Sequence, residues 1–341
     1  MSQSAPMSLD DRFDDLVASL GGFYRTWYVY AGLELGLFAA LRGTADGLTA
    51  AELAARTGTS EELVRHWIWG AQAHDLLEAD GDRARLPEDI AVVLLDADRP
   101  EYLGGQLVHA ATGSLDYGGL VNAFRTGRPI GPRPDRYRMA IETLTVQDIA
   151  VFFQEVLTAL PQLVADLRPG SRIVDIHCGG GRWLIAMARR FPGTTLVGVE
   201  FEEDSVARAR RHVEEAGLSD RIAIEHKDVA RVGHSAEIDL AYFQYALHQL
   251  PDPVMALRSA WEAVRPGGWL VTLDWYLPTD PEELRTRHGE LIAGVQLDEL
   301  LQGTRLVTRS EALGWFRDAE LPTPELIDLP SGASTIVVHR G

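Results

Sequence analysis

The sequence predicts an α/β fold: a mostly parallel sheet fills the second half of the chain, and a smaller, mainly helical domain precedes it. Three observations lead to this prediction. The apolar run Ile173–Ile176 stops at three consecutive glycines and continues as the helix-patterned Trp183–Ala188, which indicates strand, tight turn and helix. A second apolar run, Thr195–Val199, follows and ends in Glu200. Helix-capping signals between residues 48 and 62 indicate short consecutive helices.

Composition excludes several functional classes. The 341 residues suit two domains, and 46% hydrophobic with 24% charged residues is typical of a globular protein. No apolar run approaches the roughly 20 residues of a membrane span. The first residues lack a basic start and an apolar signal core, so a cytoplasmic protein without membrane attachment is expected. The net charge of −18 opposes binding to nucleic acid or anionic lipid.

Cysteine and histidine spacing gives no sign of a metal site. The single cysteine, Cys178, excludes an internal disulfide, and its place in the glycine turn favours a small-residue role over that of a nucleophile. No His-x-His or Cys-x-x-Cys pair occurs, so no metal is expected. No Gly-x-Ser-x-Gly occurs either, which leaves acyl transfer without support.

Residues 1–100 are predicted to form the N-terminal helical domain. Apolar residues in Leu9–Leu20 recur at helical spacing, and the aromatic stretch Gly21–Phe38 continues the pattern. Tyr24 and Tyr28 share one face of this helix. Two interpretations stay open for these tyrosines: contact within a core or a dimer, or contact with the substrate.

Residues 48–86 read as a winged helix-turn-helix. Thr49 with Glu52, and Thr59 with Glu62, are predicted capping boxes that begin two helices, and residues 76–86 read as a small hairpin. The pattern raises the hypothesis of a ligand-sensing DNA-binding regulator. Six acidic residues against two arginines in 48–80 argue against it, because a recognition helix needs cations for phosphates.

Residues 101–150 are predicted to be a helical connector or lid, and residues 151–341 the catalytic domain. Five arginines fall between residues 125 and 138. They are expected either to pair with surface carboxylates or to hold an anionic substrate. A helix over Val151–Leu167 is predicted to lead into the first strand, and two strands over residues 326–329 and 334–339 to close the chain.

The glycine turn carries a family resemblance. Asp175-Ile-His177-Cys-Gly179-Gly-Gly181, followed by Glu200, resembles the turn of the class I S-adenosylmethionine (SAM) dependent methyltransferases. Its acid-x-Gly-x-Gly-x-Gly spacing differs from the dinucleotide pattern Gly-x-Gly-x-x-Gly. Further matches follow in order, including Asp228 after the third strand. The resemblance implies a Rossmann-like sheet with an antiparallel last strand, and a cofactor, SAM, whose product is S-adenosylhomocysteine (SAH).

The resemblance also implies roles for particular residues. The methionine end of SAM would contact four positions, Asp175, His177 through its backbone, Gly179 and Gly181. Glu200 would bind the ribose, Asp228 with Val229 the adenine, and Phe201 and Phe243 would flank the cofactor. His177 departs from the pattern, because it stands where the first glycine of the turn usually lies.

The N-terminal unit resembles the winged-helix domain of small-molecule methyltransferases of actinobacterial type. In that family the domain serves dimerisation, so a homodimer is expected. The resemblance is specific for the family and says little about the acceptor.

His248 is the predicted catalytic residue. It follows the fourth strand at the edge where the methyl donor would lie, and an ordinary histidine pKa near 6.5 suits a general base. The alternative is that it only packs or forms hydrogen bonds. Asp274, at the end of the fifth strand, either orients the substrate or packs and caps the strand. Trp275, directly after it, is a candidate substrate residue together with Tyr24 and Tyr28.

The predicted function is a SAM-dependent methyltransferase that acts on a small apolar or aromatic molecule of secondary metabolism. Whether oxygen, nitrogen or carbon accepts the methyl group stays open. One alternative is a SAM- or SAH-binding enzyme that catalyses a cyclisation or rearrangement without methylation. The winged-helix regulator is a remote second alternative.

Overall fold

The structure is a computed structural model that describes residues 8–131, 133–233 and 236–341. Two compact units divide the chain. The first consists of residues up to 117 together with 135–147, and the second of residues 118–134 together with 148–341. The connector predicted at residues 101–150 therefore contributes to both units.

The elements are numbered in chain order. The strands are β1 (Leu48–Thr49), β2 (Glu78–Asp80), β3 (Arg83–Arg85), β4 (Arg172–Ile176), β5 (Thr195–Glu200), β6 (Ile222–His226), β7 (Ile238–Gln244), β8 (Val264–Asp274), β9 (Glu325–Asp328) and β10 (Ser334–His339). The α-helices are α1 (Leu9–Glu34), α2 (Leu37–Leu41), α3 (Ala50–Thr57), α4 (Glu61–Ala73), α5 (Glu88–Leu95), α6 (Gly104–Ser114), α7 (Leu120–Thr126), α8 (Asp135–Val151), α9 (Leu157–Ala159), α10 (Pro161–Asp166), α11 (Arg182–Arg190), α12 (Glu203–Glu215), α13 (Pro253–Ala263), α14 (Pro281–Leu284), α15 (Arg287–Gln302) and α16 (Arg309–Asp318). Short 3-10 turns occupy Tyr117–Gly119 and Leu247–Gln249, and Phe152–Val156 is π-helical.

The first unit contains the two predicted short helices and the hairpin. The capping box of Thr49 and Glu52 is confirmed at the start of α3. The second helix, α4, begins one residue later than predicted, because the Ser60 hydroxyl, and not Thr59, accepts a hydrogen bond from the backbone N–H of Leu63. Strands β2 and β3 form the hairpin, and β1 joins it in the order β1-β3-β2.

The second unit is built on a seven-stranded sheet in the order β6-β5-β4-β7-β8-β10-β9. Strands β4 to β8 pair in parallel, whereas β10 lies antiparallel between β8 and β9. This confirms the predicted α/β fold with an antiparallel end. Since parallel strands share one direction, the turns after β4, β5, β6, β7 and β8 meet at the same edge of the sheet.

Alternate residues of the central strands enter two apolar layers. Ile173 and Tyr242 pack on one face with the helix α11, and Val174 and Phe243 pack on the other face with α13 and α16. Side chains of a strand point alternately to its two faces. The central strands are therefore covered on both faces by apolar packing.

Two predicted boundaries differ in the structure. The helix expected over Val151–Leu167 is interrupted by the π-helical turn and restarts at Pro161, because proline lacks a backbone N–H and is tolerated only in the first turn of a helix. The third strand ends at His226, two residues before Asp228. Among the residues described, no helix is both long and apolar enough to cross a membrane.

Candidate active site

The turn between β4 and α11 is a tight loop with three residues in left-handed conformation. The φ angles are 67° at His177, 51° at Gly179 and 70° at Gly181. The backbone N–H groups of His177 and Cys178 donate to the carbonyl of Val199 at 2.8 and 3.2 Å, which joins the turn to β5. Glycine adopts a positive φ without strain, whereas a non-glycine residue there costs about 1–3 kcal/mol.

Glu200, at the tip of β5, closes this loop. Its side chain is 1% exposed. One carboxylate oxygen, Oε2, accepts the N–H of Gly179 at 3.0 Å, and Oε1 accepts the N–H groups of Phe201 and Glu202 at 2.8 and 3.0 Å. The acid predicted to bind a ribose is thus oriented by the backbone of two adjacent turns.

Asp175 lies directly before the turn and is 3% exposed. Burial and, to a lesser degree, the charge of Glu200 raise the pKa of Asp175 to about 8. A cation bound beside Asp175 would favour its ionised form. The cationic methionine end of SAM fits such an acid, and space above the turn is open, since a Cβ placed on Gly179 would meet no atom within 4 Å.

The predicted adenine-binding and cofactor-flanking residues differ in burial. Asp228 accepts the N–H of Ala230 at 3.0 Å and is exposed, and Val229 is buried. Phe201 is 47% exposed, beside the turn. Phe243 is 1% exposed and lies in an apolar layer of the sheet. The expectation that Phe243 flanks the cofactor is therefore corrected: its position in β7 directs it away from the face that carries Asp175.

His248 lies in a buried group of carboxylates at the same edge of the sheet. Its Nδ1 is 2.9 Å from Oδ2 of Asp274, and its Nε2 is 3.8 Å from Oε2 of Glu299. An ionised carboxylate can accept a hydrogen bond but cannot donate one. Nδ1 of His248 therefore carries the proton in its contact with Asp274. The His248 side chain is 3% exposed. Its Nε2 is buried without a hydrogen-bond partner among the residues described.

The carboxylates set the charge of His248. Burial lowers its pKa, but the contacts with Asp274 and Glu299 outweigh burial and raise the pKa of His248 to about 10. In turn, the pKa of Glu299 is lowered: burial acts to raise it, but the contacts with His248 and Thr304 prevail. The ordinary value near 6.5 expected from the sequence is thus corrected, because the two neighbouring carboxylates favour the imidazolium.

Two acids of this group were not identified from the sequence. Glu299 belongs to α15, and Asp148 lies near the end of α8. Burial raises the pKa of Asp148 to about 8; the Tyr245 hydroxyl acts to lower this pKa, and the charge of Asp274 acts to raise it. Neither residue belongs to a motif. Glu299 carried one weak signal, because it stands with Asp298 between Leu297 and Leu300, in a segment whose leucines favour burial, and a buried acid needs a partner.

The tentative substrate residues lie in different units. Trp275 donates its backbone N–H to Oδ1 of Asp274 at 2.8 Å, and its ring centroid is 5.4 Å from that of Tyr245. It thus lies one residue from the carboxylate that contacts His248. Tyr24 is 58% exposed on α1, and Tyr28 packs against His74 within the first unit. A substrate role for these three residues stays a prediction.

The arginine-rich stretch does not form one cluster. Arg136 pairs with Asp116 in the first unit and is largely exposed, as expected of a surface pair. Arg133 belongs to the second unit. Its Nη1 lies 3.6 Å from Oδ1 of Asp298, and its side chain is buried. The expected surface pairing is therefore wrong for Arg133, which lies against the helix that carries Glu299.

Comparisons with known proteins match the chain to methyltransferases. Residues 173–268 match the family described as a methyltransferase domain. Over 163 residues the chain is 31% identical to the 27-O-demethylrifamycin SV methyltransferase of Amycolatopsis mediterranei, and this match spans 45% of the chain and 60% of that relative. The chain thus spans less than two thirds of the relative's length.

Solved structures resemble the chain over nearly its whole length. Human N-acetylserotonin methyltransferase in complex with SAM has a TM-score of 0.72 at 19% identity, covering 99% of this chain and 100% of that one. The mitomycin 7-O-methyltransferase has a TM-score of 0.69 at 20% identity, covering 97% of this chain and 98% of that one. At these identities the likeness concerns the fold. Residues 173–268 thus match a methyltransferase domain, and the chain as a whole shares the fold of these methyltransferases.

Proposed function

We propose that this protein transfers the methyl group of SAM to a hydroxyl oxygen of a small apolar or aromatic molecule, with His248 as general base. The observation that carries the proposal is the buried Nε2 of His248, which has no hydrogen-bond partner among the described residues and lies next to Glu299. A hydroxyl of the acceptor would supply that partner. The relatives named above include methyltransferases whose names specify oxygen.

The residues of the glycine turn would hold the cofactor. Asp175 would lie beside its cationic methionine end, Glu200 would accept from the ribose, and Asp228 would accept from the adenine amino group. When bound, SAM supplies an activated methyl group with a good leaving group. The protein then contributes mainly position, and proximity with correct orientation accounts for effective molarities above about 10⁵ M.

His248 acts on the acceptor proton in this proposal. Asp274 holds Nδ1–H and thereby leaves the lone pair of the neutral ring on Nε2, on the side of Glu299. A base whose conjugate acid has a pKa of about 10 is matched to a phenol, whose ordinary pKa is also about 10. Proton transfer between groups of similar pKa is close to balanced, so a phenolic acceptor suits this site better than an aliphatic alcohol.

The rate should depend on pH through His248. Because only the neutral ring accepts a proton, we expect kcat/KM to rise with pH up to about 10. Asp274→Asn removes the charge that contributes most to the raised pKa, so the inflection should move to lower pH. The pH profiles of the two proteins, measured by SAH formation, check this. An unchanged inflection in Asp274→Asn would contradict the assignment of the profile to His248.

The same raised pKa has a consequence for stability. The His248–Asp274 contact stabilises the fold fully below the unfolded histidine pKa of about 6.5. That stabilisation is lost as the pH rises through the folded value of about 10. Melts of the wild type between pH 6 and 10 should therefore show a decline that is smaller in Asp274→Asn.

One experiment separates methylation from its main alternative. The protein is incubated with SAM and a panel of phenols and other small hydroxylated molecules, and products are analysed by mass. A product heavier by one CH₂, formed together with SAH, is the expected result. A product of unchanged mass, or consumption of acceptor without SAH, would instead support the cyclisation or rearrangement and reject the methyl transfer.

We infer further that the first unit is a winged-helix domain that dimerises through α1. The two short helices followed by a hairpin support the first statement. The second is supported by a stripe of exposed apolar residues on α1, at i, i+4, i+7 and i+11: Leu9, Phe13, Leu16 and Leu20. Such a stripe marks a helix face that is covered by a partner.

Dimer formation is testable with charges on that stripe. Leu16→Glu combined with Leu20→Glu should convert a dimer into a monomer in light-scattering measurements, because two carboxylates would be buried without partners at the interface. Ala18→Glu, on the opposite side of the same exposed helix, is the control and should remain a dimer. A monomeric wild type would refute the inference.

A further inference from the structure

His177 is the one position of the glycine turn at which the chain departs from glycine while keeping a left-handed backbone, with φ of 67°. Histidine enters this region more readily than most residues, yet it remains strained there relative to glycine. A strained residue at a ligand-binding turn persists when its side chain or surroundings compensate. The contacts of the His177 imidazole therefore bear on why this strain is kept.

The imidazole lies over the acid predicted to bind the ribose. Its Nδ1 is 4.0 Å from Oε2 of Glu200, its side chain is 21% exposed, and its ring centroid is 5.3 Å from that of Phe201. A separation of 4.0 Å is too long for a direct hydrogen bond. It is short enough for the two groups to bind neighbouring hydroxyls of one diol.

Glu200 alone has too few free acceptor positions for a ribose diol. An ionised carboxylate offers about four lone-pair sites. Three of them are used by the backbone N–H groups of Gly179, Phe201 and Glu202. One site remains for two ribose hydroxyls, so the second hydroxyl needs another partner. Nδ1 of His177, 4.0 Å from Glu200 Oε2, is placed to be that partner.

We propose that the His177 imidazole is a cofactor-recognising group that binds one ribose hydroxyl of SAM, next to the hydroxyl held by Glu200. This inference rests on the proposed use of SAM and adds a side-chain role where the sequence pattern implied only a backbone one. The acid and the imidazole then share the diol, and the strained backbone of His177 is retained because glycine would lack the second partner.

The test is binding, measured by calorimetric titration with SAH and with its 2′-deoxy and 3′-deoxy analogues. His177→Gly is the main variant, since glycine accepts the positive φ. We expect SAH to bind about three- to tenfold more weakly to His177→Gly, the loss typical of one hydrogen bond. The analogue that lacks the hydroxyl bound by His177 should bind both proteins equally, whereas the other analogue should show the same loss as SAH.

Two further outcomes decide the inference. If His177→Gly binds SAH and both analogues in the same ratios as the wild type, the imidazole has no contact with the ribose and the inference is wrong. Failure of the wild type to bind SAH at all would instead remove the proposed cofactor site, and the inference with it.

A second variant separates the lost imidazole from a loosened backbone. His177→Ala keeps a Cβ, and with it a restricted backbone, but carries no hydrogen-bonding atom, so it should lose SAH affinity as the glycine variant does. Wild-type affinity in His177→Ala with a loss only in His177→Gly would assign the effect to backbone flexibility and overturn the proposal. Thermal melts without ligand should show His177→Gly at least as stable as the wild type, because glycine relieves the strain of the positive φ.

Discussion

Replacing His248 by alanine is expected to lower kcat by about 10²- to 10⁴-fold, the range typical for loss of a general base. SAM affinity should stay within about twofold, because the base acts on the acceptor proton and not on cofactor binding. The measurement is SAH formation under saturating SAM, with a separate SAM titration. Retention of kcat within about tenfold of wild type would reject His248 as the base.

The variant needs a control for folding. His248 lies between Asp274 and Glu299, and its removal leaves two carboxylates buried without their cation, which is destabilising. Adding Asp274→Asn to His248→Ala removes one of those charges and should recover part of the melting temperature without recovering kcat. Added imidazole offers a second readout, since partial recovery of activity by a free base would mark a chemical role and not a packing role.

Replacing Glu200 by alanine is expected to weaken SAM binding by about tenfold to more than a hundredfold, since a hydrogen-bond partner that is charged contributes about 1.5–3 kcal/mol. The loss has two sources. The ribose loses its acceptor, and three backbone N–H groups of the surrounding turns lose the carboxylate that orients them. Calorimetric titration with SAM and SAH measures the change.

A neighbouring acid supplies the matched control. Glu203 is exposed in the first turn of α12, so Glu203→Ala removes the same charge without touching the glycine turn, and it should bind SAM within about twofold of wild type. Glu200→Gln keeps the size of the side chain and one acceptor oxygen and should fall between the two. Equal affinity of Glu200→Ala and wild type would show that the cofactor is not bound at this turn.

Much of the fold follows from local patterns. The strand that contains Asp175, the glycine turn and the helix after it are encoded within the nineteen consecutive residues Arg172–Arg190. The capping box at Thr49 needs only a hydroxyl and an acid three residues apart. Propensity, periodicity and turn chemistry act over such distances. For the same reason the place of Glu200 at the tip of the next strand could be predicted.

The errors arise where long-range packing decides. The burial of Phe243 depends on which face of a covered sheet the residue meets, a question that spacing alone does not answer. The break in the helix before β4 is different, since Pro161 is a local signal that the predicted helix ignored. The pKa of His248 depends on Asp274, 26 residues away, and on Glu299, 51 residues away. An isolated histidine with an ordinary pKa is therefore the only expectation that its local sequence supports.

The sequence by itself determined the class of fold, and it predicted the cofactor and the end of the sheet at which the cofactor would bind, because these depend on contiguous strand, turn and helix signals. Only the tertiary structure decided the surroundings of the candidate base and the shortage of acceptor sites at Glu200. Electrostatic and hydrogen-bonding environments are properties of groups brought together from distant parts of the chain. Shifted pKa values and shared hydrogen-bond acceptors arise only after the chain has folded.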